Sequence, residues 1–242
     1  MSAILLIQIN FGCFVSIFLL CLIRNFNFNI ILVGLTYLLP LVPWWLGSAH
    51  AERMLIVSYC NLIFGIIEIV VFTLTEKPED IKLNKAYLQQ LFGHVFPIVG
   101  SLIGMSFVSR TTLIPVETIE LSIIVILFIL GSTLRVLSIA QLGVLRFKFN
   151  IAFREKQTLK TDQLHGYMRH PTYTSMMLVV ISYAVTTHSL YIGMAGTLLA
   201  WFGFQYRIHF EEMALKEQFG DAYVNYQKKT AMWLPFLKWK GS

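Results

Sequence analysis

Long apolar stretches dominate this sequence of 242 residues. The first 23 residues contain no charged side chain, and a later run of 36 residues, from Pro171 to Tyr206, contains none either. An apolar helix needs about 20 residues to cross the hydrocarbon core of a bilayer. Charged residues make up 13% of the chain, roughly half of their share in soluble domains. The sequence therefore predicts an all-α, polytopic integral membrane protein.

The apolar stretches predict a transmembrane helix bundle of about seven membrane segments. Five segments are single stretches, at residues 3–23, 30–46, 54–74, 91–108 and 118–142. The run of 36 residues is too long for one span, so we expect a short hairpin of two helices with its turn near His188 and Ser189. Residues 75–90 are predicted to form a polar loop, and residues 207–230 an amphipathic cytoplasmic helix.

The first apolar stretch is predicted to be a membrane span rather than a removable signal peptide. It has neither the basic region nor the small-residue cleavage site of a signal peptide. Cys13, Cys21 and Cys60 all lie in apolar stretches without the spacing of metal ligands, so we expect no metal site and no disulfide framework. Because no basic patch is interleaved with aromatic residues, membrane lipids are the expected surroundings and nucleic acid is not an expected partner.

Basic residues are distributed unequally over the predicted loops. If the segments cross in sequence, sixteen Lys and Arg residues fall on one side of the membrane and two, Arg53 and Arg110, on the other. The side that carries the excess of Lys and Arg faces the cytoplasm. We therefore expect the loop before Pro171 and the last helix to share the cytoplasmic face, in the endoplasmic reticulum membrane of a eukaryote or the inner membrane of a bacterium.

Three ionisable residues, Glu68, His94 and Arg135, lie within predicted spans. An ionised group at that depth is costly, and it indicates a functional site by default. Glu68 could equally face the bundle, protonated or paired, with no chemical role. Arg135 could extend towards the interface or point into a polar cavity, and a histidine such as His94 is more often hydrogen-bonded structure than a ligand. The sequence leaves these three roles open.

The stretch from Leu159 to Tyr173 combines polar, aromatic and backbone-restricting residues between apolar segments. His170 precedes a proline and is biased towards an extended conformation. Pro171 suits the first turn of a helix, and a helix that begins there offers free N–H groups to a polar ligand. The alternative is a basic loop whose arginine and tyrosine residues anchor it at the membrane interface.

Several residue groups, taken together, resemble the motifs of one family. In chain order they are Leu159 and Thr161, Arg169-His170-Pro171-Thr172-Tyr173, Arg207, Glu211-Glu212, Phe219-Gly220, Tyr223, Tyr226 and Leu234-Pro235-Phe236. Over about residues 135–236 the chain is similar to the isoprenylcysteine carboxyl methyltransferase family. Members of this family are multi-span membrane enzymes that use S-adenosylmethionine.

The resemblance implies roles for the matching positions. Residues 1–115 would supply about four N-terminal spans, and residues 116–242 the catalytic core with a cytoplasmic cofactor pocket. Arg207 would be the catalytic and substrate-binding residue, facing the carboxylate of a prenylated cysteine that is methylated on oxygen. The residues that would hold S-adenosylmethionine are Gln157, Thr158, Leu159, Lys160, His165, His170, Pro171, Thr172, Tyr173 and Glu211.

This sequence departs from the family at three positions. The family usually has glycine where Gln163 stands, an aromatic residue where His165 stands, and glycine shortly after the motif where Ser175 stands. The first departure changes the backbone of the loop, and the second changes the surface offered to the cofactor. The identity of the methyl acceptor therefore stays open.

Carboxyl methylation agrees with the chemistry of these residues. A carboxylate is ionised at neutral pH, so transfer of a methyl group to it needs no general base. Arg207 can hold a carboxylate through paired hydrogen bonds. Glu211 lies one helical turn further along the same face and can accept hydrogen bonds from a charged amino group. The alternative is an exposed ion pair at spacing i,i+4 with no role in a site.

Three other functions fit parts of the sequence. A phospholipid or other lipid amine N-methyltransferase would need a base, for which His165 or His170 could serve, because an amine must lose a proton. A membrane sterol reductase that uses NADPH has a similar C-terminal half, but such enzymes tend to carry a cysteine there, and the last cysteine of this chain is Cys60. A non-enzymatic membrane protein, such as a transporter, would bind no cofactor.

Overall fold

A computed structural model describes residues 2–42, 51–76, 84–143 and 158–235, which form a bundle of α-helices. The helices of these ranges are α1 (Ala3–Arg24), α2 (Phe28–Leu38), α3 (Ala51–Thr75), α4 (Lys85–Gln90), α5 (Phe96–Thr111), α6 (Thr118–Leu142), α7 (Leu164–Tyr167), α8 (Pro171–Thr186), α9 (Leu190–Phe219) and α10 (Asp221–Lys229). The predicted all-α membrane fold is thus confirmed.

Within the described ranges, four helical stretches are long and apolar enough to cross a membrane. They are α1, α3, the stretch Lys85–Thr111 and α6. The bounds of α6 agree with the predicted fifth span, and those of α1 and α3 differ from the predicted ones by at most three residues at either end. The second predicted span begins as α2 and a short 3-10 turn, Leu39–Leu41, and its remainder lies outside the described residues. The total number of membrane segments stays a prediction.

The polar loop predicted at residues 75–90 is wrong at its second half. A helix begins at Lys85 because the side chain of Asn84 accepts a hydrogen bond from the backbone N–H of Tyr87 at 2.9 Å, which caps the first turn. The helix continues through a π-helical turn, Leu91–Val95, into α5. A Cβ atom at Gly93 would lie 2.5 Å from the ring of Tyr206, so this turn approaches α9 closely because it contains glycine.

The hairpin predicted at residues 171–206 is confirmed, with its turn between Thr186 and Leu190. Its second arm does not end at Tyr206, however. Helix α9 runs for 30 residues to Phe219, where Gly220 with φ 52° ends it. The separate amphipathic helix predicted at residues 207–230 is therefore wrong: its first half continues α9 and its second half is α10. At about 1.5 Å per residue, α9 is longer than the hydrocarbon core is thick.

Buried polar side chains join α3 to its neighbours. Asn61 donates to the carbonyl of Tyr37 at 2.8 Å and accepts from the hydroxyl of Tyr183 at 2.7 Å. Two turns further along, Glu68 accepts two hydrogen bonds from Arg135 on α6, at 2.7 and 2.9 Å. Both ionised groups are buried, and their pairing reduces the cost of placing charge at this depth. The two roles that the sequence left open are therefore structural.

The two arginines predicted on the side opposite the cytoplasm are also buried. Arg53 forms a double hydrogen bond with Glu120 of α6, at 2.7 and 3.0 Å, and also donates to the carbonyl of Thr186 at the end of α8 at 2.8 Å. Arg110 donates to the carbonyls of Pro40 and Val42 at 2.8 and 3.0 Å. These contacts fix the helix ends at this side of the bundle and hold the hairpin turn.

Helices α6 and α8 pack with their backbones close together. A Cβ atom at Gly131 of α6 would lie 2.8 Å from the carbonyl oxygen of Ser175, so only glycine allows this approach. Ser175 replaces a glycine that the family usually has, and its hydroxyl donates to the carbonyl of Thr172 at 2.5 Å. The first turn of α8 is thus held against α6. Because the polar stretch leads directly into α8, this contact also fixes where the described part of that stretch joins the bundle.

The pair of Glu68 and Arg135 predicts a large difference between single and double substitutions. Arg135→Met leaves a buried carboxylate without its partner and is expected to lower the free energy of unfolding by about 3–5 kcal/mol. Glu68→Leu combined with Arg135→Met removes both charges and should recover most of that loss. Unfolding midpoints in mixed detergent, with Arg24→Met at an exposed helix end as control, measure both effects. Equal midpoints for Arg135→Met and the wild type would contradict the assigned role.

Candidate active site

Arg169, His170 and Pro171, which we call the Arg-His-Pro stretch, lead from an extended segment into α8. His170 has φ −124° and ψ 60°, and Pro171 occupies the first turn of α8, as its missing N–H allows. The preceding Met168 forms a parallel bridge with Ala231. The backbone N–H groups of Arg169 and His170 donate to the carbonyls of Ala231 and Met232, at 2.8 and 3.1 Å. A segment that is distant in sequence therefore holds this stretch in place.

Arg207, Glu211 and Tyr173 form one buried cluster between α8 and α9. The Nε of Arg207 donates to Glu211 at 2.8 Å, and the hydroxyl of Tyr173 donates to the same carboxylate oxygen at 2.6 Å. The side chain of Arg207 is 4% exposed, and that of Glu211 is 24% exposed. The alternative of an exposed ion pair is therefore wrong. One carboxylate holds both a cation and a phenol, and keeps part of its surface open.

Glu212 forms a second cluster with three partners from two segments. It accepts hydrogen bonds from Arg169 Nε at 2.8 Å, from His170 Nε2 at 3.1 Å and from the amide of Gln227 at 2.9 Å. Burial alone would raise the pKa of this carboxyl group, but the hydrogen bond from His170 and the charges of His170 and Arg169 outweigh burial and lower the pKa to about 2. Glu212 is thus ionised and links α9, the Arg-His-Pro stretch and α10.

Residues 220–235, which we call the C-terminal segment, dock beneath the Arg-His-Pro stretch. The guanidinium of Arg169 donates to the carbonyls of Gln227 and Thr230, at 3.2 and 2.6 Å, at the end of α10. The hydroxyl of Tyr226 donates to the carbonyl of His165. Because a cation at a helix C-terminus satisfies carbonyl groups that the helix leaves open, Arg169 stabilises α10 and the Arg-His-Pro stretch together.

The loop before α7 explains one departure from the family. Gln163 has φ 54°, in the left-handed region that glycine adopts without strain and other residues rarely occupy. A residue with a side chain therefore adopts here a backbone conformation that favours glycine. The backbone N–H of the next residue, Leu164, donates to the side chain of Gln141 in α6 at 3.1 Å. This contact fixes the start of α7.

His165, the second departure, is buried at 7% exposure. Its Nδ1 atom has no hydrogen-bond partner among the described residues. Burial first, and then the charges of His170 and Lys160, lower the pKa of its ring to about 4, so the ring is neutral at neutral pH. A buried polar atom without a partner is costly, and this one indicates that a ligand completes the site.

His94 approaches the site from the N-terminal half of the chain. The π-helical turn directs its ring between α8 and α9, where Nδ1 lies 2.9 Å from the carbonyl of Gly203. Because a carbonyl only accepts, Nδ1 carries the hydrogen. The ring centroid of His94 lies 6.3 Å from that of Tyr173 and 6.4 Å from that of Phe204. This histidine, whose role the sequence left open, therefore forms part of the wall behind Tyr173.

The structure brings several predicted site residues together. His170, Pro171, Thr172 and Tyr173 lie at the start of α8, opposite Arg207 and Glu211 of α9. Thr158, Leu159 and Lys160 precede α7, where Lys160 pairs with the exposed Asp162 at 2.8 Å; Gln157 lies outside the described residues. The roles of all these residues in binding stay predictions.

The sequence motifs included Glu212 but indicated no role for it, and they did not reveal the partners of Arg169. The adjacent carboxylates of Glu211 and Glu212 were a usable signal. Neighbouring residues on a helix point about 100° apart, so two carboxylates in succession can serve partners on two sides. Here one faces Arg207 and Tyr173, and the other faces Arg169 and His170.

Glu212 predicts a specific loss of stability in acid. Its pKa is lowered from 4.5 to about 2, so its contribution of about 3 kcal/mol is present above pH 4.5 and is lost as the pH falls from 4.5 towards 2. Thermal unfolding of the purified protein should show this loss. The Glu212→Gln variant should be less stable than the wild type at neutral pH, and its stability should change less between pH 4.5 and pH 2. Glu217→Gln, on the exposed face of the same helix, is the control. Parallel pH profiles for Glu212→Gln and the wild type would contradict this role.

The comparisons of this chain with known proteins agree on one family. Residues 124–217 match the family model described as the isoprenylcysteine carboxyl methyltransferase (ICMT) family. A protein-S-isoprenylcysteine O-methyltransferase from Xenopus laevis is 28% identical over 186 residues, which cover 74% of this chain and 63% of that protein. Protein-S-isoprenylcysteine O-methyltransferase B from Arabidopsis thaliana is 30% identical over 112 residues, 46% of this chain and 57% of that protein. The matches span less than two thirds of the length of these relatives.

A solved structure supports the fold along nearly the whole chain. It is described as the eukaryotic intramembrane Ras methyltransferase ICMT, and it superposes with a TM-score of 0.52 at 17% sequence identity, covering 98% of each chain. At this identity the likeness concerns the fold alone. The sequence match and the shared fold confirm the resemblance: the chain is similar, in the sequence of its C-terminal half and in its architecture, to the isoprenylcysteine carboxyl methyltransferase family.

Proposed function

We propose that this protein transfers a methyl group from S-adenosylmethionine to the carboxylate of a prenylated cysteine or a similar lipidic acceptor. The observation that carries the proposal is the buried cluster of Arg207, Glu211 and Tyr173. The cluster lies where the apolar part of α9 passes into its polar extension. A soluble cofactor and an acceptor with an apolar tail can meet only at such a boundary. The names of the curated relatives support the same reaction.

Two residues of the candidate site fit S-adenosylmethionine. The partly open carboxylate of Glu211 can accept hydrogen bonds from a charged amino group, and the unpartnered Nδ1 of the buried His165 can bind a polar group of the ligand. The remaining residues proposed to hold it are Thr158, Leu159, Lys160, His170, Pro171, Thr172 and Tyr173, with Gln157 predicted from the sequence alone. When bound, this cofactor supplies a methyl group on a positively charged sulfur atom.

The chain's own residues then have to bind the cofactor and the acceptor and orient them towards each other. Arg207 is proposed to hold the acceptor carboxylate, since a guanidinium forms charge-assisted hydrogen bonds to carboxylate oxygens. Because the carboxylate is already ionised, no side chain has to remove a proton. The hydrogen bond from Arg207 to Glu211 fixes the guanidinium, and the surrounding rings of His94, Tyr173 and Phe204 keep water from the reacting atoms. Alignment and exclusion of water supply the rate enhancement.

Methylation of a lipid amine is the alternative, and one observation favours it. An amine acceptor must lose a proton, and His165 has a neutral ring at neutral pH that could accept it. We favour the carboxylate because Arg207 presents a buried guanidinium, whose hydrogen-bond donors match the oxygens of a carboxylate and not an amine. We also propose that the site faces the cytoplasm, on the argument that sixteen of the Lys and Arg residues fall on its side.

Methyl transfer to a panel of acceptors tests the proposed reaction. Purified protein is incubated with S-adenosylmethionine labelled on its methyl group and with either a prenylated cysteine or a phospholipid amine, and the product is analysed for base-labile methyl ester. We expect ester formation on the prenylated cysteine, and calorimetric binding of the cofactor without competition from NADPH. Label only in the amine, or binding of NADPH but not of the cofactor, would contradict the proposal.

Arg207 and Glu211 are expected to differ in what their loss impairs. Arg207→Ala removes a charge-assisted contact of about 1.5–3 kcal/mol, so kcat/KM for the acceptor should fall about ten- to hundredfold with little change in cofactor Kd. Glu211→Ala should instead weaken cofactor binding by a similar factor. Arg207→Lys keeps the charge but loses the planar fork, and it should recover only part of the activity.

A control separates these roles from general damage to α9. Glu217 lies on the exposed side of the same helix, and Glu217→Ala should leave both cofactor Kd and acceptor kinetics near wild-type values. Near-normal activity of Arg207→Ala would remove its assigned role in acceptor binding.

A further inference from the structure

The indole of Trp233 carries a donor that the protein itself does not use. Its Nε1 atom is buried, and it has no hydrogen-bond partner in the part of the chain that the structure describes. A buried tryptophan N–H usually finds an acceptor, and leaving one unsatisfied costs free energy. The question is which group could accept its hydrogen bond.

The backbone around Trp233 is fixed, so the position of the indole is not incidental. The carbonyl of Trp233 accepts a hydrogen bond from the hydroxyl of Thr174 at 2.8 Å. The carbonyl of the preceding Met232 accepts from the backbone N–H of His170 at 3.1 Å. Both donors belong to the Arg-His-Pro stretch and the first turn of α8. Trp233 is therefore held in register with the residues proposed to bind the cofactor.

The surroundings of the indole are apolar and adjoin the ionic cluster. The ring centroid of Trp233 lies 6.4 Å from that of Phe204, which lies 5.8 Å from that of Tyr173. The indole packs against the hydrophobic core together with Tyr173, Met176 and Met177. On the other side of this wall, the hydroxyl of Tyr173 binds Glu211 at 2.6 Å. Phe204 thus lies near both Trp233 and Tyr173, and through these two rings the indole is connected to the ionic cluster.

We propose that Trp233 binds the methyl acceptor, and that its Nε1–H donates to a neutral oxygen next to the methylated carboxylate. This inference rests on the proposed function. The carboxylate itself is better matched by the guanidinium of Arg207, whereas an uncharged donor in an apolar wall suits an uncharged carbonyl. In a prenylated cysteine at the end of a peptide, the group of this kind nearest the carboxylate is the amide carbonyl on the amino side of the cysteine. Trp233 would therefore favour the binding of a peptide acceptor over that of a simple fatty acid.

Two synthetic acceptors that differ only in this amide provide the test. Both carry the same isoprenyl thioether and carboxylate: one is N-acetyl-S-farnesylcysteine and the other is 3-(farnesylthio)propionate. Their Kd values are measured on the detergent-solubilised full chain in the presence of S-adenosylhomocysteine, which prevents turnover. The wild type should bind the acceptor with the amide about three- to tenfold more tightly, the range of one neutral hydrogen bond.

Trp233→Phe keeps an aromatic ring and removes the donor. It should weaken binding of the acceptor with the amide about three- to tenfold and leave the Kd of the other acceptor unchanged, so that the preference disappears. Trp201→Phe, which changes an exposed tryptophan of α9, should leave both Kd values and the preference as they are. The comparison of two acceptors on one protein separates lost packing, which affects both, from a lost hydrogen bond, which affects one.

Each other outcome overturns a stated part of the argument. Equal weakening of both acceptors by Trp233→Phe would make Trp233 a packing residue and overturn the inference. A wild type without preference would overturn it as well, even if Trp233→Phe failed to fold. A wild type that binds S-adenosylhomocysteine but neither prenylated acceptor would instead refute the proposed acceptor class, and the inference with it.

Discussion

The hydrogen-bonded pair of Arg207 and Glu211 is the interaction on which the arrangement of the site depends. A buried guanidinium without a carboxylate would be unstable in an apolar bundle, and α9 supplies both partners on one face. The partly open carboxylate then requires a second donor, which Tyr173 provides from α8. The start of α8 must therefore lie beside the middle of α9, and the short hairpin turn at residues 187–189 makes this possible.

Several buried charged side chains elsewhere in the bundle are also paired with side chains of opposite charge. Glu68 pairs with Arg135 between α3 and α6, and Arg53 pairs with Glu120 between α3 and α6 nearer the opposite face. Each pair joins helices that are far apart in sequence. Helix packing in lipid gains little from the hydrophobic effect, and such contacts specify which helices are neighbours. The site pair differs from them because it joins residues of one helix and keeps an exposed edge.

The sequence predicted the spans well because hydropathy and helix length determine them. The bounds of α6 followed from the length of an apolar stretch, and the hairpin turn followed from a charge-free run that is too long for one span. The π-helical turn at His94 and the continuation of α9 through Arg207 could not be predicted in this way. The first depends on a close approach between Gly93 and Tyr206, and the second on partners for charged residues that come from other segments. Motifs identified Arg207 and Glu211, but the role of Glu212 required the position of α10, which no local pattern specifies.

Helix α9 is continuous from the hairpin turn to the second ionic cluster, and this continuity has a mechanical consequence. A membrane helix tilts when its apolar stretch is longer than the local hydrocarbon core is thick, so the thickness of the bilayer influences its tilt. A rigid rod transmits that tilt along its length, so Arg207 and Glu211 would shift in depth relative to a partner that is anchored separately. Through the tilt of α9, the lipid composition of the surrounding membrane would then influence the geometry of the site.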